Sequence, residues 1–236
     1  MDLHITFELN KKLDKEMAQI FLNRNKKVGG VDFSLGVTGP HPELIKYKDA
    51  KNADAISSYL DVYYTEHKDE LIDALSKSQK VWEKVESDFI KQIKNIFNKP
   101  AVPDGKYIAY LSTLNCNPRF LDNKTFQVFW RHRDGTNLVV AHEVLHFFFY
   151  DYAQKKYPNI FADLDMNRGV FWVLAEVFND VILSTKEMCA IHNKKEFASY
   201  PAHKDYTEHL KKVWANDSNI DTWLLNAFTY LQSVLK

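Results

Sequence analysis

Thr136-Asn137-Leu138-Val139-Val140-Ala141-His142-Glu143-Val144-Leu145-His146-Phe147-Phe148-Phe149-Tyr150 is the stretch from which the rest of the chain is read. Asp134-Gly135 turns the chain just before it, and Thr136 or Asn137 can cap a helix that runs to about Lys156, ahead of Tyr157-Pro158. The helix is strongly apolar, yet it carries His142, Glu143 and His146 in its middle. Residues four apart share a helix face, so both imidazoles can point at one metal ion. Neutral imidazole is a good zinc ligand, and two on a rigid helix fix part of a tetrahedral site. Glu143 follows the first histidine, where its carboxylate can take a proton from a water at the open metal position. Burying three ionisable groups costs several kcal/mol, on the order of the values for unpaired charges, unless they are paired or ligated. The alternative is a pair of core histidines bonded to Glu143 or to backbone.

Two histidines do not complete a metal site. A third ligand is expected downstream in a similarly apolar setting, and Phe171-Trp172-Val173-Leu174-Ala175-Glu176-Val177-Phe178-Asn179-Asp180 supplies it. Glu176 is a lone carboxylate in a helix, about Arg168 to Ser184, that is otherwise apolar over two turns. Asp180 lies one turn further on the same face, where it can accept the second ring N–H of a ligating histidine. Asn179 stands beside it. The alternative for Glu176 is a surface ion pair with Arg168 or Lys186.

The set His142, Glu143 and His146, then Glu176 and Asp180, resembles the gluzincin class of zinc metallopeptidases, to which thermolysin belongs. The resemblance covers about residues 136–184. It implies that His142, His146 and Glu176 bind one zinc ion per chain, that Glu143 is the general base and acid, and that Asp180 supports a ligating histidine, with Asn179 sharing that role. It also implies an oxyanion donor from the C-terminal half. Tyr200 and His203 are the foremost candidates, with His192, Tyr206 and His209 as others. The strand before the motif, Thr125 to Arg131, is implied to be a sheet edge that pairs with extended substrate backbone. One departure is Ala175 before the ligand glutamate, where many gluzincins carry Asn.

Working outward, Leu3 to Leu9 alternates apolar and polar residues and predicts a strand. Asn10 to Asn23 predicts an amphipathic helix. Gly29-Gly30 and Gly36 to Pro42 read as turn and loop. From Asn52 to Phe97 the apolar residues recur at helical spacing, which predicts two long helices, or one bent near Ser76 to Ser78. Lys106 to Thr113 and Thr125 to Arg131 read as strands, with a loop through Asn117-Pro118-Arg119 between them. Helices are expected near His203 to Ala215 and Ile220 to Leu235. The fold class is therefore α+β, mostly α: a zincin-like unit over residues 1–236. Residues 1–100 give a strand and long helices. Residues 101–160 give a small sheet packed on the motif helix, and 161–236 a helical half carrying the third ligand.

The 236 residues hold 31 Lys+Arg and 31 Asp+Glu, a formal charge of zero that argues against a dedicated nucleic-acid binder. Only two cysteines occur, Cys116 and Cys189, too few for a disulfide framework or a four-thiolate zinc site. No signal-like start and no membrane-length apolar run is visible, so the expectation is a cytoplasmic protein that meets a peptide substrate, not nucleic acid or membrane. The expected activity is zinc-dependent peptide hydrolysis. The rival reading is a catalytically silent metal- or peptide-binding protein.

Overall fold

A computed structural model describes residues 3–48 and 52–235 of the chain. The elements in order are β1 (Thr6–Leu9), α1 (Lys11–Leu22), α2 (Ser34–Thr38), a 3-10 turn (Pro42–Tyr47), α3 (Ala53–Glu66), α4 (Lys68–Glu83), α5 (Glu86–Ile96), β2 (Ile108–Ser112), β3 (Arg119–Phe120), β4 (Thr125–Phe129), α6 (Thr136–Lys156), α7 (Pro158–Phe161), α8 (Gly169–Leu183), α9 (Lys186–His192), a second 3-10 turn (Pro201–His203), α10 (Lys204–Asn216) and α11 (Ile220–Val234). The chain is 62% helical with one four-stranded sheet, an α+β protein that is mostly α. Among the described residues no helix is long and apolar enough to cross a membrane.

The chain divides into two compact units. One, the sheet unit, holds His4–Lys84 and Gly105–Val140, and the other, the motif unit, holds Leu3, Val85–Asp104 and the described residues from Ala141 onward. In the sheet unit the strand order is β1-β2-β4-β3, with β1, β2 and β4 parallel and β3 antiparallel to β4. Phe126 and Val128 are buried, and so are Thr125 and Gln127 between them. A strand covered on both faces reads as a continuous run, not an alternation, which is the pattern expected of parallel sheets.

The polar members of that sheet converge on one carboxylate. Asp14 of α1 is fully buried. It accepts from Ser112 Oγ at 2.6 Å, Gln127 Nε2 at 2.7 Å, and the Thr113 N–H, Thr113 Oγ1 and Tyr64 Oη at 2.8 Å each. Burial pushes its carboxyl above the ordinary value, against the pull of these bonds.

The strand Thr125 to Arg131 is not a free edge. β3 pairs with Thr125 and Phe126, the Gln127 N–H donates to Pro118 O at 2.9 Å, and the Phe129 N–H donates to Asn117 Oδ1 at 2.8 Å. Asn117 adopts a left-handed backbone (φ 46°), which doubles the loop back so that its own side chain serves as an acceptor along β4. The outer edge of β1 is covered too. Gln79 of α4 accepts the Phe7 N–H at 3.0 Å and donates to Ile5 O at 3.3 Å, so one side-chain amide stands in for a neighbouring strand.

Residues 53–96 form three helices, not two or one. The breaks fall at His67 (φ −102°, ψ 18°) and at Lys84–Val85, where Val85 has φ −120° and ψ −9°. At the first break the His67 ring packs on Tyr63 at 4.2 Å between centroids and its Nδ1 bonds Glu70 at 3.0 Å. The loop read from Gly36 to Pro42 begins inside α2 and ends where the first 3-10 turn starts, and α9 is an element that the sequence does not announce.

In the motif unit, α8 is buried from Phe171 to Leu183 without interruption, which accounts for a sequence apolar on every face. It packs on α9, α10 and α11, while α5 packs on α9. Phe97, Phe149 and Trp223 gather around Phe178, with ring centroids 5.7, 4.6 and 5.4 Å from it. This aromatic core holds the side of α8 that does not carry Glu176.

Candidate metal centre

The two histidines of α6 and the glutamate of α8 meet. His142 Nε2 and His146 Nε2 are 3.1 Å apart, and Glu176 Oε2 is 3.3 Å from the first and 3.4 Å from the second. Among the described residues this is the one trio of His, Cys, Asp or Glu with ligand atoms so gathered. Tetrahedral zinc holds its ligands at about 2.0–2.1 Å, which sets them about 3.3 Å from one another. The three observed separations match that edge length. His146 and Glu176 are sealed from solvent, while the His142 side chain is 24% exposed, so the trio has one open side. The donor set fits a metal ion: two imidazole nitrogens and a carboxylate oxygen converge on one point, and a single cation satisfies all three.

Charge around the trio is negative. Burial pulls the His142 ring toward neutrality. The Glu176 carboxylate bonded to it, with Glu143 and Asp180, outweighs that pull and lifts its pKa to about 8. Glu143, next in sequence to His142, is itself buried. Separations of 3.1–3.4 Å are also those of hydrogen-bonded side chains, the arrangement that the core-histidine alternative describes. The surface-pair alternative for Glu176, with Arg168 or Lys186, does not hold, since its side chain is 1% exposed and lies against His142 and His146.

Three supports hold the geometry. Asn179 Nδ2 donates to the His142 backbone oxygen at 2.7 Å and so ties α8 to α6 at His142, through the backbone and not through the ring. Tyr150, one turn after His146, stacks on its ring at 5.8 Å and 12°, and its hydroxyl donates to Met166 O at 2.8 Å. Asp180 is buried one turn beyond Glu176 and acts on His142 by charge, with no hydrogen bond to the ring. Burial pushes its carboxyl up to about 7, with His142, Lys211 and Thr207 pulling down and Glu176 pushing up.

The C-terminal candidates separate. His203 is buried and neutral, its pKa lowered by burial against the opposing pull of Glu176. Its ring packs on Trp172 at 5.1 Å and Tyr200 at 5.2 Å, and Tyr200 in turn packs on Trp172 at 5.3 Å. Trp172 precedes Glu176 by one helical turn, so His203 and Tyr200 are brought to the ligand helix. His192 is not. Its Nε2 bonds Leu183 O at 2.9 Å and its Nδ1 accepts the Lys194 N–H at 3.2 Å, which commits both ring atoms to the α8–α9 junction. His209 stacks on Tyr230 at 4.3 Å on the exposed side of α10.

Tyr150, just after the motif at the i+4 position from His146, reads from the sequence as a core residue or a support of the site, and its burial and its stacking on the His146 ring agree with that. No protein-family model, curated protein or solved structure matches the chain.

Proposed function

We propose that the protein is a gluzincin-like, zinc-dependent hydrolase of peptide bonds, and that its motif unit works as a zincin-type catalytic half. The observation that carries this reading is the convergence of His142 Nε2, His146 Nε2 and Glu176 Oε2 at 3.1–3.4 Å, with Glu143 buried beside them. Zinc, when bound, supplies Lewis acidity that polarises a carbonyl and makes water acidic enough to ionise near pH 7.

The chain's own groups do the rest. Glu143 takes the proton of the attacking water and returns it to the leaving amine. His203, neutral and buried near Glu176, donates its single N–H to the oxygen that becomes negative, with Tyr200 as the second donor. Asp180 keeps His142 basic. The Cys116 and Cys189 thiols are free, which fits the cytoplasm as the setting.

One observation favours a second reading, hydrolysis of an amide other than an extended peptide: β4 has no free edge for a substrate strand.

The test measures zinc content and peptide-library cleavage together. Wild type is expected to carry about one zinc per chain, as a three-ligand catalytic site does. Glu176→Ala is expected to lose it. Glu143→Gln is expected to keep zinc and cleave nothing. Full cleavage by Glu143→Gln sinks the mechanism. Zinc-loaded wild type that spares every peptide but cleaves small acyl-amides selects the second reading.

A further inference from the structure

Beyond Glu176, two buried polar groups of packed helices stand together. Asp180 Oδ2 of α8 and Thr207 Oγ1 of α10 are both sealed from solvent, and among the described residues neither completes a hydrogen bond of ordinary geometry. A buried hydroxyl left in this state is costly, so its retention at such a position calls for a partner.

The helix pair supplies one. Trp172, Glu176 and Asp180 recur every four residues along one face of α8. His203, Thr207 and Lys211 do the same from the second 3-10 turn into α10. The His203 ring on Trp172, at 5.1 Å, pins the two faces together. One turn further on, the Thr207 hydroxyl is the side-chain donor that acts on the Asp180 carboxyl. Lys211 acts on Asp180 by charge alone, since its Nζ is committed to Glu208 at 3.2 Å.

Asp180 also acts on His142, by charge. His142 turns Nε2 toward His146 and Glu176, so a metal held there would take the Nε2 lone pair and leave the ring proton on Nδ1. A carboxylate that accepts such a proton fixes the ring's tautomer and orientation. It does so only if its own rotation is fixed.

We propose that Thr207 is a positioning residue of the metal centre: its hydroxyl holds one oxygen of Asp180 so that the other is presented to the Nδ1–H of His142. This rests on the reading of His142, His146 and Glu176 as a zinc site.

The test uses the full chain and zinc alone. Zinc affinity is read by competition with a chromogenic chelator, and the thermal midpoint is read on metal-stripped protein. Thr207→Val keeps the shape and removes the hydroxyl. It is expected to weaken zinc binding about 10- to 100-fold, the usual effect of losing a group behind the ligands. Its metal-stripped midpoint is expected to equal or exceed wild type, because a buried hydroxyl becomes a methyl. Thr207→Ser is expected to restore affinity to within about threefold of wild type. In an Asp180→Asn background, Thr207→Val is expected to change nothing further. Zinc-binding wild type with an equally tight Thr207→Val overturns this inference alone. So does equal weakening in Val and Ser with a lowered metal-stripped midpoint, which marks packing. Wild type that takes up no zinc overturns the reading of the centre and this inference with it.

Discussion

Truncating Asp14 to alanine removes the acceptor of five hydrogen bonds at 2.6–2.8 Å. Three of the donors are hydroxyls, on Ser112, Thr113 and Tyr64, and can turn toward other acceptors. Two are not: the Thr113 backbone N–H, and the amide of Gln127, which is 1% exposed. Each buried donor left unpaired costs about 1–3 kcal/mol, and the hydroxyls add roughly 1 kcal/mol between them after rotation. Relief of the buried charge offsets part of this. The expected loss is about 3–5 kcal/mol, a large share of the roughly 5–15 kcal/mol typical of a folded domain.

Asp14→Asn is the control. It keeps an acceptor oxygen, and its new N–H₂ can donate to Gln127 Oε1, which has no partner among the described residues. Its expected cost is about 1–2 kcal/mol. The assay is urea unfolding followed by far-UV circular dichroism. With a slope of about 2 kcal/mol per molar, the alanine variant should shift the midpoint by about 1.5–2.5 M. A pH series adds a sign. The folded carboxyl lies above its ordinary value of 3.8, so the folded state binds the proton more tightly. Its contribution is full below that value and is lost as pH rises through the raised pKa. Asp14→Asn should remove this slope. A midpoint within about 0.3 M of wild type for Asp14→Ala, or equal damage from Asn and Ala, refutes the reasoning.

Further outcomes follow from other sites. His41 is fully buried, with Nε2 on Thr113 O at 3.0 Å, and burial lowers its pKa from 6.5 to about 4. The unfolded chain therefore binds more protons between these values. About 3 kcal/mol present above pH 6.5 should be lost on acidification to pH 4, and His41→Gln should flatten that dependence in urea midpoints taken at several pH values. Gln79→Ala uncovers the Phe7 N–H and Ile5 C=O. It should cost about 1–3 kcal/mol and produce concentration-dependent association by light scattering, and a monodisperse variant would contradict the edge-covering role. His203→Ala should lower kcat by about 100- to 1,000-fold with zinc content unchanged. His192→Gln should lower thermal stability and leave kcat alone, and the reverse pattern would reassign the two histidines.

The centre was legible because its chemistry is local. His142 and His146 share a helix face, and Glu176 and Asp180 share another, so short-range spacing proposes the ligands and only their meeting needs the fold. The boundaries of α6 and α8 followed from the turn at Asp134-Gly135 and the limits of the apolar run. Other features are not local. The partners of Asp14 lie 50 to 113 residues away, and nothing in Lys11-Lys12-Leu13-Asp14 distinguishes a buried carboxylate from a solvated one. The covered edges of β1 and β4 depend on Gln79 and Asn117, two unremarkable amides. The helix breaks at His67 and Val85 carry no Gly or Pro and no side-chain cap, and only the first is marked by ring packing, of His67 on Tyr63. His192 and His203 are alike as residues, and only the elements packed around them separate a structural ring from a candidate donor.

The path of the chain through its two units has a consequence for synthesis. Residues 85–104 belong with residues 141 onward, and residues 105–140 belong with residues 4–84. As the polypeptide leaves the ribosome, α5 emerges about 90 residues before the α9 helix on which it packs. The sheet must likewise await β4, after the intervening segment has been released. Neither unit can therefore close while the chain is half made. Phe89, Ile93 and Phe97, buried in the finished fold, therefore wait for partners that are made later, which leaves the chain a poor subject for truncation at any single point.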